Sequence, residues 1–145
     1  MPPMLDMIEK ILSGELLQPP VARLIGFRLT SIKKGEAIIE FEFSERHTNP
    51  MGTLHGGILC DITDAAMGLA YASTLEEGES FTTLELKLNF LKPVWKARLK
   101  AIGKVVKKGR TISLTGCDVI DEKKNLVARA TSTCMTLRDE QAQGR

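Results

Sequence analysis

A polar loop that runs into an apolar helix is the part of this sequence best suited to chemistry. Residues 47–57 are polar and end in Gly56-Gly57, whereas residues 58–70 are almost wholly apolar apart from two aspartates. A helix that starts at Gly56 has unpaired backbone N–H groups and the positive end of its dipole at that point. Since glycine has no side chain to block the approach, these groups suit an oxyanion, the species that an ester or thioester carbonyl becomes under attack. The same glycine pair is equally compatible with a tight turn that binds no ligand.

Asp64 is the side chain of this helix that could act on such a carbonyl. A carboxylate in an otherwise apolar helix is unfavourable unless it is hydrogen-bonded, paired or used in a reaction. Asp61 lies three residues earlier, on nearly the same face, and we expect it to reach solvent where the sheet leaves the helix uncovered. Asp64 is therefore the candidate for a general base.

Gly56 and Asp64 are too far apart along one helix to serve one reacting group. Eight residues separate them, which corresponds to ~12 Å along the helix axis. A general base and an oxyanion donor must both come within ~3 Å of the group that reacts. Two copies of the helix packed antiparallel could satisfy this requirement, each with its amino terminus beside the other's Asp64. The spacing therefore predicts at least a dimer with two equivalent sites.

The elements that position these residues follow from the periodicity of the apolar side chains. Helical spacing predicts a short amphipathic helix from Met4 that ends near Gly14, and a long helix over about residues 56–74. Alternating and β-branched residues predict strands over 27–32, 37–43, 81–91, 99–107, 111–120 and 126–137. This order has no βαβ alternation, so it predicts an α+β fold, an antiparallel β-sheet wrapped around one long central helix.

Composition and charge exclude several classes of protein. At 145 residues, with 43% hydrophobic and 26% charged residues, the sequence predicts a single globular domain over residues 1–145. The net charge of +2 is too small to indicate nucleic acid or a membrane as the main partner. The longest apolar stretch is too short to span a bilayer, and the amino terminus lacks the pattern of a secretory signal. Three cysteines without metal-ligand spacing predict buried, reduced thiols, no metal site and a cytoplasmic location: Cys60, Cys117 and Cys134.

The loop and helix together carry a motif that resembles the hotdog-fold acyl-CoA thioesterases. The pattern is N-P-x-G-x-L-H-G-G over residues 49–57, followed by Asp64 nine positions after His55. It is most similar to the phenylacetic-acid-degradation (PaaI-like) branch and its animal relatives. The similarity continues through L-x-L-x-F-x-K-P at residues 86–93 and a K-G-R turn at residues 108–110. The resemblance implies a hotdog domain with a core over about residues 20–137, and hydrolysis of acyl-CoA thioesters to free acid and CoA.

The resemblance also implies a role for each matching residue. Asp64 would act as general base on water or as nucleophile toward the thioester carbon, and the backbone N–H of Gly56 would polarise the thioester carbonyl. His55 would orient the loop or contact the thioester, and Asn49 would position the water or the carbonyl-binding loop. Thr83 falls where such enzymes keep a hydroxyl beside the carboxylate. The family assembles each site across a homodimer, in agreement with the spacing argument, and its dimers commonly pair into homotetramers.

Further residues are candidates for binding the substrate. Because CoA carries phosphates, basic residues near the mouth of the site are expected, and the candidates are Lys107, Lys108 and Arg110, with Lys92 and Lys96 behind them. The other substrate-binding candidates are Gly57, Leu54 and Met51, of which the last two would line an acyl channel with Leu59 and Trp95. Thioester hydrolysis requires no cofactor, since CoA is part of the substrate, and the sequence has no pattern of a Ser–His–Asp triad or a nucleotide-binding loop.

Two other functions fit the same fold. A non-catalytic acyl-CoA-binding or sensor domain would hold the thioester without turnover, but Asp64 beside a polar loop argues against it. A dehydratase that acts on a 3-hydroxyacyl thioester pairs a histidine with a carboxylate, and His55 could take that part. The pattern over residues 49–57 is more similar to that of the hydrolases. The identity of the acyl group stays open, since aromatic, branched and medium-chain groups all suit an apolar channel.

Overall fold

Three α-helices and six β-strands form over residues 4–144, the part of the chain that this computed structural model describes. The helices are Met4–Ser13 (α1), Pro20–Ile25 (α2) and Gly56–Ala72 (α3). The strands are Phe27–Lys33 (β1), Glu36–Glu42 (β2), Ser80–Phe90 (β3), Arg98–Lys107 (β4), Ile112–Asp121 (β5) and Leu126–Leu137 (β6). Short 3₁₀ helices lie at Glu45–His47 and Asp139–Ala142. The predicted helices and strands are all present, with bounds that agree to within two residues.

The six strands form one antiparallel sheet in the order β1-β2-β4-β5-β6-β3. β1 and β2 are joined by a tight turn in which Gly35 has a φ of +80°, a conformation that favours glycine. After β2 the chain crosses through α3 to the opposite edge of the sheet, where β3 pairs with β6. This topology confirms the predicted α+β fold, an antiparallel sheet around one long helix.

The long helix α3 packs directly on the backbone of the sheet. Ile62, Ala66 and Met67 are fully buried on its inner face. A Cβ atom placed on Gly103 of β4 would lie only 2.3 Å from the carbonyl oxygen of Ala66. The helix and strand backbones therefore touch at this point, which explains why small residues occupy the middle of α3 and why β4 carries a glycine there.

The edge strand β3 exposes apolar side chains that its alternating pattern alone would place in a core. Leu84 is 53% exposed and Phe90 is 60% exposed, whereas Leu86 and Leu88 are half-buried. The physical reason is that β3 has a neighbouring strand on one side only, β6, with a bulge between Thr83 and Glu85. A long apolar edge with unpaired backbone groups is a ready template for pairing with another chain.

The cysteines differ in their burial. Cys117 and Cys134 are buried as predicted, but Cys60 is only half-buried because it lies on the less covered side of α3. All three are free thiols, and burial raises the pKa of Cys117 to about 12. Within residues 4–144, none of the helices has the length and apolar character needed to cross a membrane.

Candidate active site

His47 anchors the start of the loop that precedes α3. Its Nδ1 accepts a hydrogen bond from the backbone N–H of Ser44 at 3.0 Å, so the proton is on Nε2, which donates to the carbonyl oxygen of Ile25 at 2.6 Å. The ring also packs edge-on against Phe41, with the ring centroids 4.7 Å apart. His47 is buried by these contacts. These bonds join the end of α2 to the loop.

We expect the substitution His47→Ala to lower the free energy of unfolding by about 2 kcal/mol, because it removes a buried ring and leaves the Ile25 carbonyl and the Ser44 N–H without their partner. Urea denaturation followed by circular dichroism measures this change. The control is Glu9→Ala on the exposed face of α1, which should stay within about 0.5 kcal/mol of the natural chain. A loss at His47 no larger than that of the control would contradict the anchoring role.

Asn49 closes the loop on itself. Its Oδ1 accepts hydrogen bonds from the backbone N–H groups of Met51 and Thr53, at 3.0 and 3.1 Å, and its Nδ2 donates to Oγ1 of Thr53 at 2.6 Å. Gly52, at a φ of +88°, completes the turn and donates its N–H to the carbonyl oxygen of Asn49. These bonds fix the loop that leads to the helix, which supports Asn49 as a residue that positions this loop.

The two glycine amides at the amino terminus of α3 differ in their hydrogen bonds. His55 is the N-cap, and its Nδ1 accepts a hydrogen bond from the N–H of Gly57 at 2.9 Å. The N–H of Ile58 donates to the carbonyl oxygen of His55. No acceptor within residues 4–144 bonds to the N–H of Gly56. The free donor of the glycine pair is therefore Gly56, whereas the amide of Gly57, predicted to bind substrate, is occupied by the cap.

Gly56 lines a cavity of about 480 Å³ at the mouth of the loop. Asn49, Leu54 and Leu59 also line this cavity, as does the ring of Phe90 at the end of β3. A Cβ atom on Gly56 would lie 2.8 Å from Cε1 of Phe90, so a side chain at this position would require the exposed ring to move. The sequence motif includes Phe90, but nothing in the motif indicates this contact across 34 residues.

Asp64 lies on the exposed side of α3, beside the edge strand. Its Oδ1 accepts a hydrogen bond from Oγ1 of Thr83 at 3.2 Å. The predicted proximity of these two side chains is therefore present in the fold. Asp61 is exposed, as expected. The part of its side chain that is shielded from water, together with the nearby charge of Asp64, raises the pKa of Asp61. The carboxylate of Asp64 can thus reach a substrate from outside the chain.

The two candidate groups belong to separate cavities of one chain. Gly56 faces the cavity that Phe90 covers, whereas Asp64 lines an apolar groove near Thr83. Both groups nevertheless lie along the same strand, because β3 contacts Gly56 through Phe90 and Asp64 through Thr83. The spacing of Gly56 and Asp64 along α3 predicts that one chain keeps the oxyanion donor and the carboxylate apart, and the structure agrees with this prediction.

The predicted substrate-binding residues lie in several separate parts of the structure. Lys108 donates from Nζ to the carbonyl oxygen and Oγ1 of Thr74, both at 2.8 Å, so it caps the carboxyl end of α3. Lys107 and Arg110 are exposed on the same turn, and their part in binding CoA stays a prediction. Met51 is 72% exposed and lies outside the lining of the Gly56 cavity.

An antiparallel sheet wrapped around one long central helix is the architecture of the hotdog fold. A sequence model of the thioesterase superfamily matches residues 51–128. The chain belongs to this superfamily, in its PaaI-like group, and is a thioester hydrolase.

Individual proteins show the same similarity. The chain is 33% identical over 118 residues to a Saccharolobus solfataricus protein named as an esterase, covering 81% of this chain and 84% of that protein. It is 26% identical over 103 residues to the 1,4-dihydroxy-2-naphthoyl-CoA hydrolase of Listeria monocytogenes, covering 71% and 84%. A solved variant of the phenylacetic acid degradation protein PaaI from Thermus thermophilus superposes with a TM-score of 0.75 at 26% identity, covering 81% and 98%.

Proposed function

We propose that this chain hydrolyses acyl-CoA thioesters to the free acid and CoA. In this proposal the carboxylate of Asp64 activates a water molecule and the N–H of Gly56 stabilises the oxyanion. Support comes from the free amide at the start of α3, from the exposed carboxylate and from its hydrogen bond to Thr83. The CoA thioester named for the Listeria relative favours CoA as the carrier. No cofactor is proposed, since CoA is part of the substrate.

The observation that carries the proposal is the position of both groups along the edge strand. Thr83 marks the Asp64 end of β3, and Phe90 marks the Gly56 end. If β3 pairs antiparallel with the same strand of a second copy, the Phe90 end of one strand lies opposite the Thr83 end of the other. Gly56 of one chain then approaches Asp64 of its partner, and the exposed Leu84 is covered. The proposed unit is a homodimer with two shared sites, and two dimers form a tetramer.

The proposed reaction balances with water as the only co-reactant. Asp64 takes a proton from water while the water oxygen bonds to the thioester carbon, and the carbonyl oxygen becomes an oxyanion that accepts the N–H of Gly56. The carbon–sulfur bond then breaks, and the proton on Asp64 passes to the CoA thiolate. Thr83 holds the carboxylate in position by its hydrogen bond. A direct attack by Asp64 on the carbon would use the same groups.

Other parts of the proposal concern the surroundings of the site. His55 keeps the helix terminus in place through its cap on Gly57. Lys107, Lys108 and Arg110 are proposed to attract the phosphates of CoA, although Lys108 is already hydrogen-bonded to Thr74. The three free thiols support a reducing, cytoplasmic compartment.

The test is release of CoA from a panel of acetyl-, octanoyl-, phenylacetyl- and branched acyl-CoA thioesters, followed with a thiol reagent. We expect turnover on at least one of them. Tight binding of every thioester without release of CoA would indicate a binding or sensor domain. An enoyl product from a 3-hydroxyacyl-CoA, detected by its absorbance, would indicate a dehydratase instead.

A further inference from the structure

An apolar groove of about 280 Å³ lies between α1, α3 and the start of β3. Its lining includes Met7 and Ile11 of α1, Leu69 of α3 and Phe81 of β3. The wall contributed by α1 is held in place because Ile8, on the same helix, is buried in the core. Nothing in the sequence motif indicates this groove, since α1 lies outside the residues that carry the motif.

The polar side chains that line this groove are adjacent to each other. Asp64 and Thr83, which are hydrogen-bonded to each other, supply the polar side chains of its lining among residues 4–144. The rest of that lining consists of aliphatic, aromatic, thioether and glycine residues. The groove therefore includes the carboxylate proposed to activate water, and the rest of its lining has no hydrogen-bonding side chains.

We propose that this groove binds the acyl tail of the substrate and that α1 makes it selective for an unsubstituted hydrocarbon tail. The inference rests on the proposed function, because it assumes that the thioester carbon lies beside Asp64. A tail attached to that carbon enters the groove directly and leaves CoA on the opposite, open side. The substrate class is thus an aliphatic or phenyl acyl thioester, without hydroxyl or charged groups on the tail.

The selectivity follows from the cost of burying a polar group without a partner. A hydroxyl on the tail would lose its hydrogen bonds to water and find no side-chain donor or acceptor beyond Asp64 and Thr83. An apolar pocket rejects a hydroxylated isostere by roughly 10- to 100-fold. The Listeria relative acts on a dihydroxylated aromatic thioester by name, so this chain is expected to differ from it in the tail that it accepts.

The floor and walls of the groove have properties that suit a flexible tail. Gly68 forms part of the floor, where an added Cβ atom would lie 3.4 Å from the ring of Phe81. Met7 is 46% exposed at its rim, and methionine adapts to tails of different shape because its side chain is unbranched and polarisable.

The first experiment compares matched substrates with the full chain. We expect kcat/KM for phenylacetyl-CoA to exceed that for 4-hydroxyphenylacetyl-CoA by about 10- to 100-fold, and octanoyl-CoA to be preferred over 8-hydroxyoctanoyl-CoA in the same way. Comparable hydrolysis of the members of each pair would overturn the inference and leave the proposed function in place. If no thioester in the panel released CoA, both would be overturned.

The second experiment assigns the tail to α1. The variant Met7→Trp fills the groove, so the ratio of kcat/KM for octanoyl-CoA to that for acetyl-CoA should fall about 10-fold. This ratio does not depend on the fraction of enzyme that folds. The matched control is Leu12→Trp, on the same helix but outside the groove lining, which should leave the ratio unchanged. If the ratio of kcat/KM values stayed unchanged in Met7→Trp, the groove would not be the tail site. The same would follow if Met7→Trp changed the oligomeric mass and left this ratio unchanged.

Discussion

Replacing Asp64 by asparagine is expected to lower kcat for acyl-CoA hydrolysis by about 10²- to 10⁴-fold, the range that a general base contributes. The amide keeps the size of the carboxylate and can still accept the hydrogen bond from Thr83. It cannot take a proton from water, and it is a poor nucleophile toward the thioester carbon. Initial rates of CoA release at saturating substrate measure the effect, which should appear in kcat rather than in KM.

Asp61 provides the matched control for this substitution. It lies three residues earlier on α3, it is exposed, and its charge influences the same region of the helix. Asp61→Asn removes a negative charge close to the site without removing the proposed base, so kcat should change by no more than about threefold. If Asp64→Asn kept more than a tenth of the natural rate, or if both variants lost activity equally, Asp64 would not be the base.

The bounds of the helices and strands are predictable from the sequence because the signals are local. Gly56-Gly57 followed by an apolar run indicates the start of α3, and alternating side chains indicate strands such as β2. The order of the strands in the sheet has no such local signal. It depends on α3 carrying the chain across the sheet, so that β3 becomes an edge. The exposure of Leu84 follows from the edge position of β3, and no local sequence pattern predicts it.

The sequence predicts which residues form the candidate site, but it does not predict the side chains that surround them. Asp64 and Gly56 stand out because a carboxylate in an apolar helix and a bare helix terminus are visible in the sequence. The proximity of Thr83 to Asp64 came from resemblance to a family, since their 19-residue separation carries no local signal. The ring of Phe90 over Gly56 arises from tertiary packing between a strand end and a helix start, as does the groove beside α1.

Removing the N–H of Gly56 is expected to lower kcat by about 10²- to 10³-fold, the usual effect of losing one oxyanion donor. Proline is suited to this purpose because it has no N–H and is favoured at the first position of a helix. The preceding residue, His55, already has the extended backbone that proline requires. The ring of Phe90 would collide with any side chain at Gly56, so the substitution is made with Phe90→Ala. The comparison is Gly56→Ala with Phe90→Ala, which keeps the N–H.

Mixing two inactive proteins then tests whether the site is shared between chains. One carries Asp64→Asn, and the other carries Gly56→Pro with Phe90→Ala. In a hybrid dimer, the natural Gly56 of the first chain meets the natural Asp64 of the second, so one of the two sites is intact. Free exchange of equal amounts makes half of the dimers hybrid, and activity should recover to about one quarter of the natural level. If both groups acted within one chain, each chain would still lack one of them and the mixture would stay inactive, so recovery distinguishes the shared site from a site within one chain.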